Sequence, residues 1–183
     1  MNKWINKKIE LEAEEYDEFE IDDFNRKAKE KIDNIYYLLE QLQPANKKLS
    51  LTDIYMNDLQ DYLFYVANLD GHLNDKELFL INYYLERDFT FEDVHLLELP
   101  QGLPRYQFYK SPPKVLTIFT EFINEETGKK DGIAAKGLIG NFRYIGLSLL
   151  PASDLKDDIL IDKIDAYINV LNEYVDDVIN GEN

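Results

Sequence analysis

One short stretch constrains the fold more than any other: residues 67–77 interrupt two helical patterns with a tight acidic turn. Asp70-Gly71 is a turn signal, because glycine accepts the positive φ that a sharp reversal needs. Asn74 is placed to cap the next helix, and Glu77, three residues later, can bond back to the backbone N–H of Asn74. The stretch therefore predicts helix, turn, helix, with Gly71 and Asn74 as its structural residues.

The composition is that of a globular chain. Of its 183 residues, 45% are apolar and 13% aromatic, a share too high for a disordered chain. That length suffices for one domain, or for a small domain with an appendage. The sequence has no run of 18 apolar residues and no apolar signal core near its start, which predicts a cytoplasmic protein without a membrane-spanning helix. The absence of cysteine excludes disulfides and removes the usual zinc ligands.

The formal charge of −16 is the second constraint. A chain this acidic repels nucleic acid and anionic membranes, so neither is expected as a partner. The same charge favours a cation or a basic protein. Another interpretation stays open, in which the acidity only keeps a bacterial-type protein soluble.

Helical periodicity runs through the chain and predicts an all-α fold, a compact bundle of six to eight helices. Pro44 stops the first pattern. It divides the chain into a long acidic N-terminal helix or arm, residues 1–44, and a helical domain, residues 45–183. The best strand pattern, residues 106–109, is only four residues long.

The later helices carry two further signals, cap residues before their first turns and small residues within one of them. Caps are expected at Ser50, Thr90 and Ser153, each just before a helical pattern. The predicted helix over 133–150 is rich in small residues, which favours close packing against a neighbouring helix: Ala134, Ala135, Gly137, Gly140 and Gly146.

The N-terminal arm has two halves of different character. Its second half carries a heptad seam, a pattern through which two copies could form a homodimer: Ala28, Ile32, Ile35, Leu39 and Leu42. Its first half, residues 10–24, is dense in acid with interleaved aromatics. Such a run is either a solvated face or a tail that offers acid and aromatic groups to a basic protein partner. In the second case the binding residues would include Glu14, Glu15, Tyr16 and Phe19.

The acidic turn is also a candidate cation site. Asp70, Asp75 and Glu77 offer carboxylate oxygens to a hard divalent cation such as Ca²⁺ or Mg²⁺. An EF-hand is excluded, because glycine directly follows the first Asp. Helix capping alone remains the alternative explanation. Further ligands could come from a second acidic turn if the two turns meet: Asp154, Asp157 and Asp158.

No pattern in the sequence predicts an enzyme. His72 and His95 are the only histidines, and His72 is expected to be an exposed turn residue that nearby carboxylates hold in its charged form. No serine lies beside a histidine, and no glycine-rich phosphate loop is present.

Residues 58–85 resemble the first repeat of TerB-like proteins, a family named for tellurite resistance. In that family an apolar helix ends in Ala-x-x-Asp-Gly, followed by an apolar residue, a polar cap and a Glu that begins the next helix. The matching positions here are Ala67, Asp70, Gly71, Leu73, Asn74 and Glu77. The second repeat, residues 152–171, departs from the pattern: no glycine follows Asp154, and Leu160 stands near the position of the Glu.

The resemblance implies a TerB-like helical fold and a role in metal or chemical stress responses, with an acidic surface that binds cations. The first hypothesis is therefore a non-catalytic TerB-like protein that binds a cation or a protein partner through residues 70–77. The second is an acidic inhibitor or immunity-type protein that binds a basic, nucleic-acid-handling protein. A third is a structural module that dimerises through the heptad seam.

Overall fold

The computed structural model describes residues 21–42, 50–97, 112–127 and 132–181. These residues form seven α-helices and one short 3₁₀ helix, and no strand occurs among them. The predicted all-α class and helix number are confirmed, whereas residues 106–109 lie outside the described part. The helices are α1 Asp23–Leu42, α2 Leu51–Ala67, α3 Asp75–Leu85, α4 Phe91–Leu97, α5 Lys114–Thr127, α6 Ile133–Leu147 and α7 Asp157–Asn180, with the 3₁₀ helix at Leu150–Ala152.

Helices α2 and α6 lie at the centre of the bundle. Helix α2 packs against α1, α3, α5 and α6, and α6 packs in turn against α1, α5 and α7. Tyr62 of α2 meets the edge of the Phe142 ring of α6 at 5.1 Å between centroids, and it stacks on Tyr167 of α7 at 5.4 Å. Large apolar residues of α2 and α3 belong to one buried cluster, among them Tyr55, Leu59, Ile81 and Tyr84.

Helix α1 belongs to that same core. Ala28, Ile32, Ile35 and Leu39 are buried, while Leu42, at the end of the helix, is exposed. The heptad seam thus packs within the chain itself, and these side chains are not available to a second copy in this fold. Residues 10–20 of the predicted arm, including Glu14, Glu15, Tyr16 and Phe19, lie outside the described residues.

A buried polar network joins three helices. The Asn25 amide donates to the Tyr84 hydroxyl at 2.9 Å and to the backbone oxygen of Ser148 at 2.8 Å. The Tyr84 hydroxyl donates to Ser148 Oγ at 2.6 Å. Since each buried polar group in the network has a partner, the network fixes how α1, α3 and the end of α6 sit together without a desolvation penalty.

Two of the three predicted caps are confirmed. Ser50 Oγ accepts from the Asp53 N–H at 3.2 Å, and Thr90 Oγ1 accepts from the Asp93 N–H at 3.2 Å. The prediction for Ser153 is wrong, because α7 begins four residues later, at Asp157. Ser153 Oγ instead accepts from the Leu155 N–H at 3.3 Å, inside the turn that precedes the helix.

Close packing of small residues is confirmed at Gly146. A methyl group there would overlap the Tyr62 hydroxyl, whereas Gly137 and Gly140 face open space. Among the described residues no helix combines the length and the apolar character that crossing a bilayer requires.

Candidate cation site

The acidic turn begins where α2 ends. The Gly71 N–H donates to the Asn68 oxygen at 3.1 Å, which closes the turn, and Gly71 has a φ of +98°. A side chain is strained at such a φ, so the predicted role of Gly71 is confirmed. The Asp70 side chain folds over the same turn, and its Oδ1 accepts from the His72 N–H at 3.0 Å.

Asn74 and Glu77 form the predicted capping box at the start of α3. Asn74 Oδ1 accepts from the Glu77 N–H at 3.0 Å, and Glu77 Oε2 accepts from the Asn74 N–H at 3.1 Å. Capping therefore uses only one of the two Glu77 carboxylate oxygens.

The second acidic turn meets the first. Asn74 Nδ2 donates to the Ala152 oxygen at 2.8 Å, and it lies 3.4 Å from Asp154 Oδ2. His72 Nε2 lies 3.1 Å from the same Asp154 oxygen. The 3₁₀ helix holds this arrangement in place, because it packs against α3. We call residues 68–77 together with residues 150–156 the two-turn junction.

Three possible metal ligands converge in the junction. One ligand atom each from Asp70, His72 and Asp154 fits in a group whose members all lie within 4.8 Å of one another. His72 Nδ1 is 3.2 Å from Asp70 Oδ1, so the imidazole stands between the two carboxylates. The Asp70 side chain is 8% exposed, whereas His72 and Asp154 are 58% and 64% exposed. The group therefore has a buried inner side and a solvent-facing outer side.

Two carboxylate oxygens of the junction have no hydrogen-bond partner among the described residues. Asp70 Oδ2 and Glu77 Oε1 are both buried without a hydrogen bond. The Glu77 residue is 0% exposed. A buried carboxylate oxygen without a donor or a cation is unfavourable, since desolvation removes its water and nothing replaces it.

The electrostatics of the junction reflect this crowding. The pKa of Glu77 is raised to about 7, chiefly by burial; the charges of Asp70 and Asp154 add to the rise, and the hydrogen bond from the Asn74 N–H opposes it. The hydrogen bond to Asp154 and the charge of Asp70 raise the pKa of His72 above its ordinary value. The site thus combines excess negative charge inside with one imidazole at its rim.

The other predicted site residues are not among the three converging ligands. These include the buried Glu77 and the exposed Asp75. Asp75 lines a depression of about 370 Å³ within the junction, together with Lys76 and Ser153. Asp157 and Asp158 are exposed in the first turn of α7, and the His95 side chain lies outside the described part. His72 is exposed, as expected for a turn residue, but its contact with Asp154 has no local signal in the sequence.

The comparisons with known proteins add no further residues to this site. The chain matches no family model, no curated protein and no solved structure.

Proposed function

We propose that this chain is a non-catalytic, TerB-like binding protein whose two-turn junction holds a divalent cation. The observation that carries the proposal is the pair of buried oxygens without partners, Asp70 Oδ2 and Glu77 Oε1. A divalent cation would bind such oxygens and neutralise their charges, which would offset the cost of burying them. The resemblance of residues 58–85 to TerB-like proteins supports the same site, because its motif includes Asp70 and Glu77.

The bound ion would act on the shape of the junction. Asp70 and Glu77 stand at opposite ends of the first turn, and Asp154 brings in the second turn through His72 and Asn74. A cation between these carboxylates replaces mutual repulsion with attraction, which fastens the end of α2 to the start of α3. The capping box remains intact, since it uses Glu77 Oε2.

The test is thermal unfolding with and without Ca²⁺, Mg²⁺, Mn²⁺ or Zn²⁺ in high monovalent salt, which screens nonspecific attraction to the acidic surface. At an ion concentration about 100 times the Kd, the expected stabilisation is about 2.7 kcal/mol, or a rise in Tm of about 5–10 °C. The double variant Asp70→Asn/Glu77→Gln should lose this rise.

The matched control is Asp53→Asn/Glu92→Gln. It removes one aspartate charge and one glutamate charge, as the junction variant does, but from exposed first-turn positions of α2 and α4. The control should keep the full rise in Tm. The absence of any ion-specific rise in the wild type, or an equal rise in the junction variant, would contradict the proposal.

A further inference from the structure

The donor set of the junction favours a particular class of cation. This inference rests on the cation site proposed above. We propose that His72 and Asp154 complete that site as its outer ligands, so that the junction binds a first-row transition-metal dication such as Zn²⁺ in preference to Ca²⁺ or Mg²⁺.

The position of the imidazole is the first argument. Ligand atoms of Asp70, His72 and Asp154 already lie within 4.8 Å of one another. With Zn²⁺ bonds of about 2.0–2.1 Å, tetrahedral ligand atoms stand about 3.3 Å apart, so the three atoms must draw together by up to about 1.5 Å. One ring nitrogen of His72 would turn from its carboxylate to the metal, and the 58% exposure of this side chain leaves room for that turn.

The second argument is the inner oxygen that has no partner. The Asp70 side chain is more than nine-tenths buried, and its Oδ2 meets no donor. Its other oxygen already accepts the His72 N–H. A metal held between Asp70 and the outer pair would supply the missing partner.

The third argument is a shortage of oxygen donors. Ca²⁺ takes six to eight oxygens and often recruits backbone carbonyls. Two carbonyls of the junction are already engaged: Leu69 accepts from Lys163 Nζ at 2.6 Å, and Ala152 accepts from Asn74 Nδ2 at 2.8 Å. A small set of two carboxylates and one imidazole suits a transition metal better than it suits a large hard cation, because imidazole is a good ligand for zinc and its neighbours.

Isothermal titration of the full chain with Zn²⁺, Mn²⁺, Ca²⁺ and Mg²⁺ in high monovalent salt tests the inference. Zn²⁺ should bind at least about tenfold more tightly than Ca²⁺ or Mg²⁺. His72→Asn and Asp154→Asn should each lower Zn²⁺ affinity by about tenfold or more, and His72→Asn should leave Ca²⁺ affinity nearly unchanged. His95→Asn and Asp157→Asn are the matched controls, and circular dichroism checks that each variant is folded.

The outcomes separate the two proposals. If the ions bind but neither His72→Asn nor Asp154→Asn changes Zn²⁺ affinity, His72 is only an ionic bridge between two carboxylates and this inference fails. Equal affinity for Zn²⁺ and Ca²⁺ would overturn it as well, while the carboxylate site of the proposed function would stand. If no ion binds the wild type, both proposals fall together.

Discussion

At the scale of single residues, the three glycines of α6 differ in how closely other residues pack against them. Gly146 is buried where Tyr62 crosses the helix, and any side chain would meet the tyrosine hydroxyl. Tyr62 is itself 1% exposed and stacked between aromatic rings, so it has little room to retreat. Gly137 and Gly140 have nothing within contact distance of an added methyl group.

This difference gives the first prediction. Gly146→Ala should lower the free energy of unfolding by about 1–3 kcal/mol, because overpacking forces neighbouring side chains to shift. Gly140→Ala should raise it by about 0.5–1 kcal/mol, because alanine favours a helix and meets no steric resistance there. Urea unfolding of the two variants beside the wild type measures both changes, and equal effects of the two substitutions would refute this account of the packing.

The residue-scale features that could be predicted from sequence are those that depend on near neighbours. The positive φ of Gly71 and the Asn74–Glu77 capping box involve residues at most three positions apart. The contact between His72 and Asp154 joins residues 82 positions apart. No local pattern encodes such a pairing, so the sequence could only suggest that the two acidic turns would meet.

At the scale of helices, α5 depends on a neighbour for its cap. Prolines precede it at 112 and 113, and neither has a side chain that can accept a hydrogen bond. The Val115 N–H instead donates to Asp58 Oδ2 of α2 at 2.7 Å. Burial raises the pKa of Asp58 to about 6, and the charge of Asp61 raises it further while the Val115 bond and Lys114 lower it.

The second prediction concerns the pH dependence of this cap. The folded-state pKa of Asp58 lies above its ordinary value of 3.8. Asp58 therefore contributes stability that is fully present below about pH 4 and is lost as the pH rises through about 6. Asp58→Asn keeps an acceptor oxygen without a charge. It should exceed the wild type in stability by about 1–2 kcal/mol at pH 7, a figure reduced for partial solvent screening, and by almost nothing at pH 4.

Denaturant unfolding between pH 4 and 8 measures the difference, in which the other acidic groups cancel. Asp58→Ala is the companion variant. Since it removes the acceptor, it should be less stable than Asp58→Asn by about 1 kcal/mol at every pH. The prediction fails if Asp58→Asn shows the same slope with pH as the wild type.

Helix boundaries were predictable wherever a cap lies next to its helix. Ser50 and Thr90 stand immediately before α2 and α4 and form the expected bonds. Ser153 carries the same local signal, but the chain turns once more before α7 begins. That extra turn is fixed by contacts with α3 and with the Asn74 side chain, which lie far away in sequence.

At the scale of the whole molecule, α1 closes one side of the bundle. It packs against α2, α3 and α6, and its buried side chains belong to the common core. The division of the chain at residue 44 stays a prediction for the segment that precedes residue 21. For Asp23–Leu42, periodicity could not indicate whether the seam would face a second chain or the chain's own core, because both choices bury the same stripe.

The third prediction follows from this packing. A chain that starts at residue 21 should keep cooperative thermal unfolding, because every described core residue is retained. A chain that starts at residue 45 should lose it. Removing the four buried apolar side chains of α1, at about 1.5–3 kcal/mol for each large one, consumes most of a typical stability of about 5–15 kcal/mol. Circular dichroism melts compare the two, and a cooperative melt of the shorter chain would instead establish α1 as a separable arm.

The distance in sequence between the two halves of the junction has a kinetic consequence. His72 and Asp154 enclose a long loop. Closing a long loop lowers the conformational entropy of the chain before the contact adds any stabilisation. We therefore expect this contact to form after the folding barrier has been crossed. Interactions that are absent from the transition state change the unfolding rate and leave the folding rate nearly untouched. An ion held at the junction would work as a latch: it would lengthen the lifetime of the folded chain without hastening its formation.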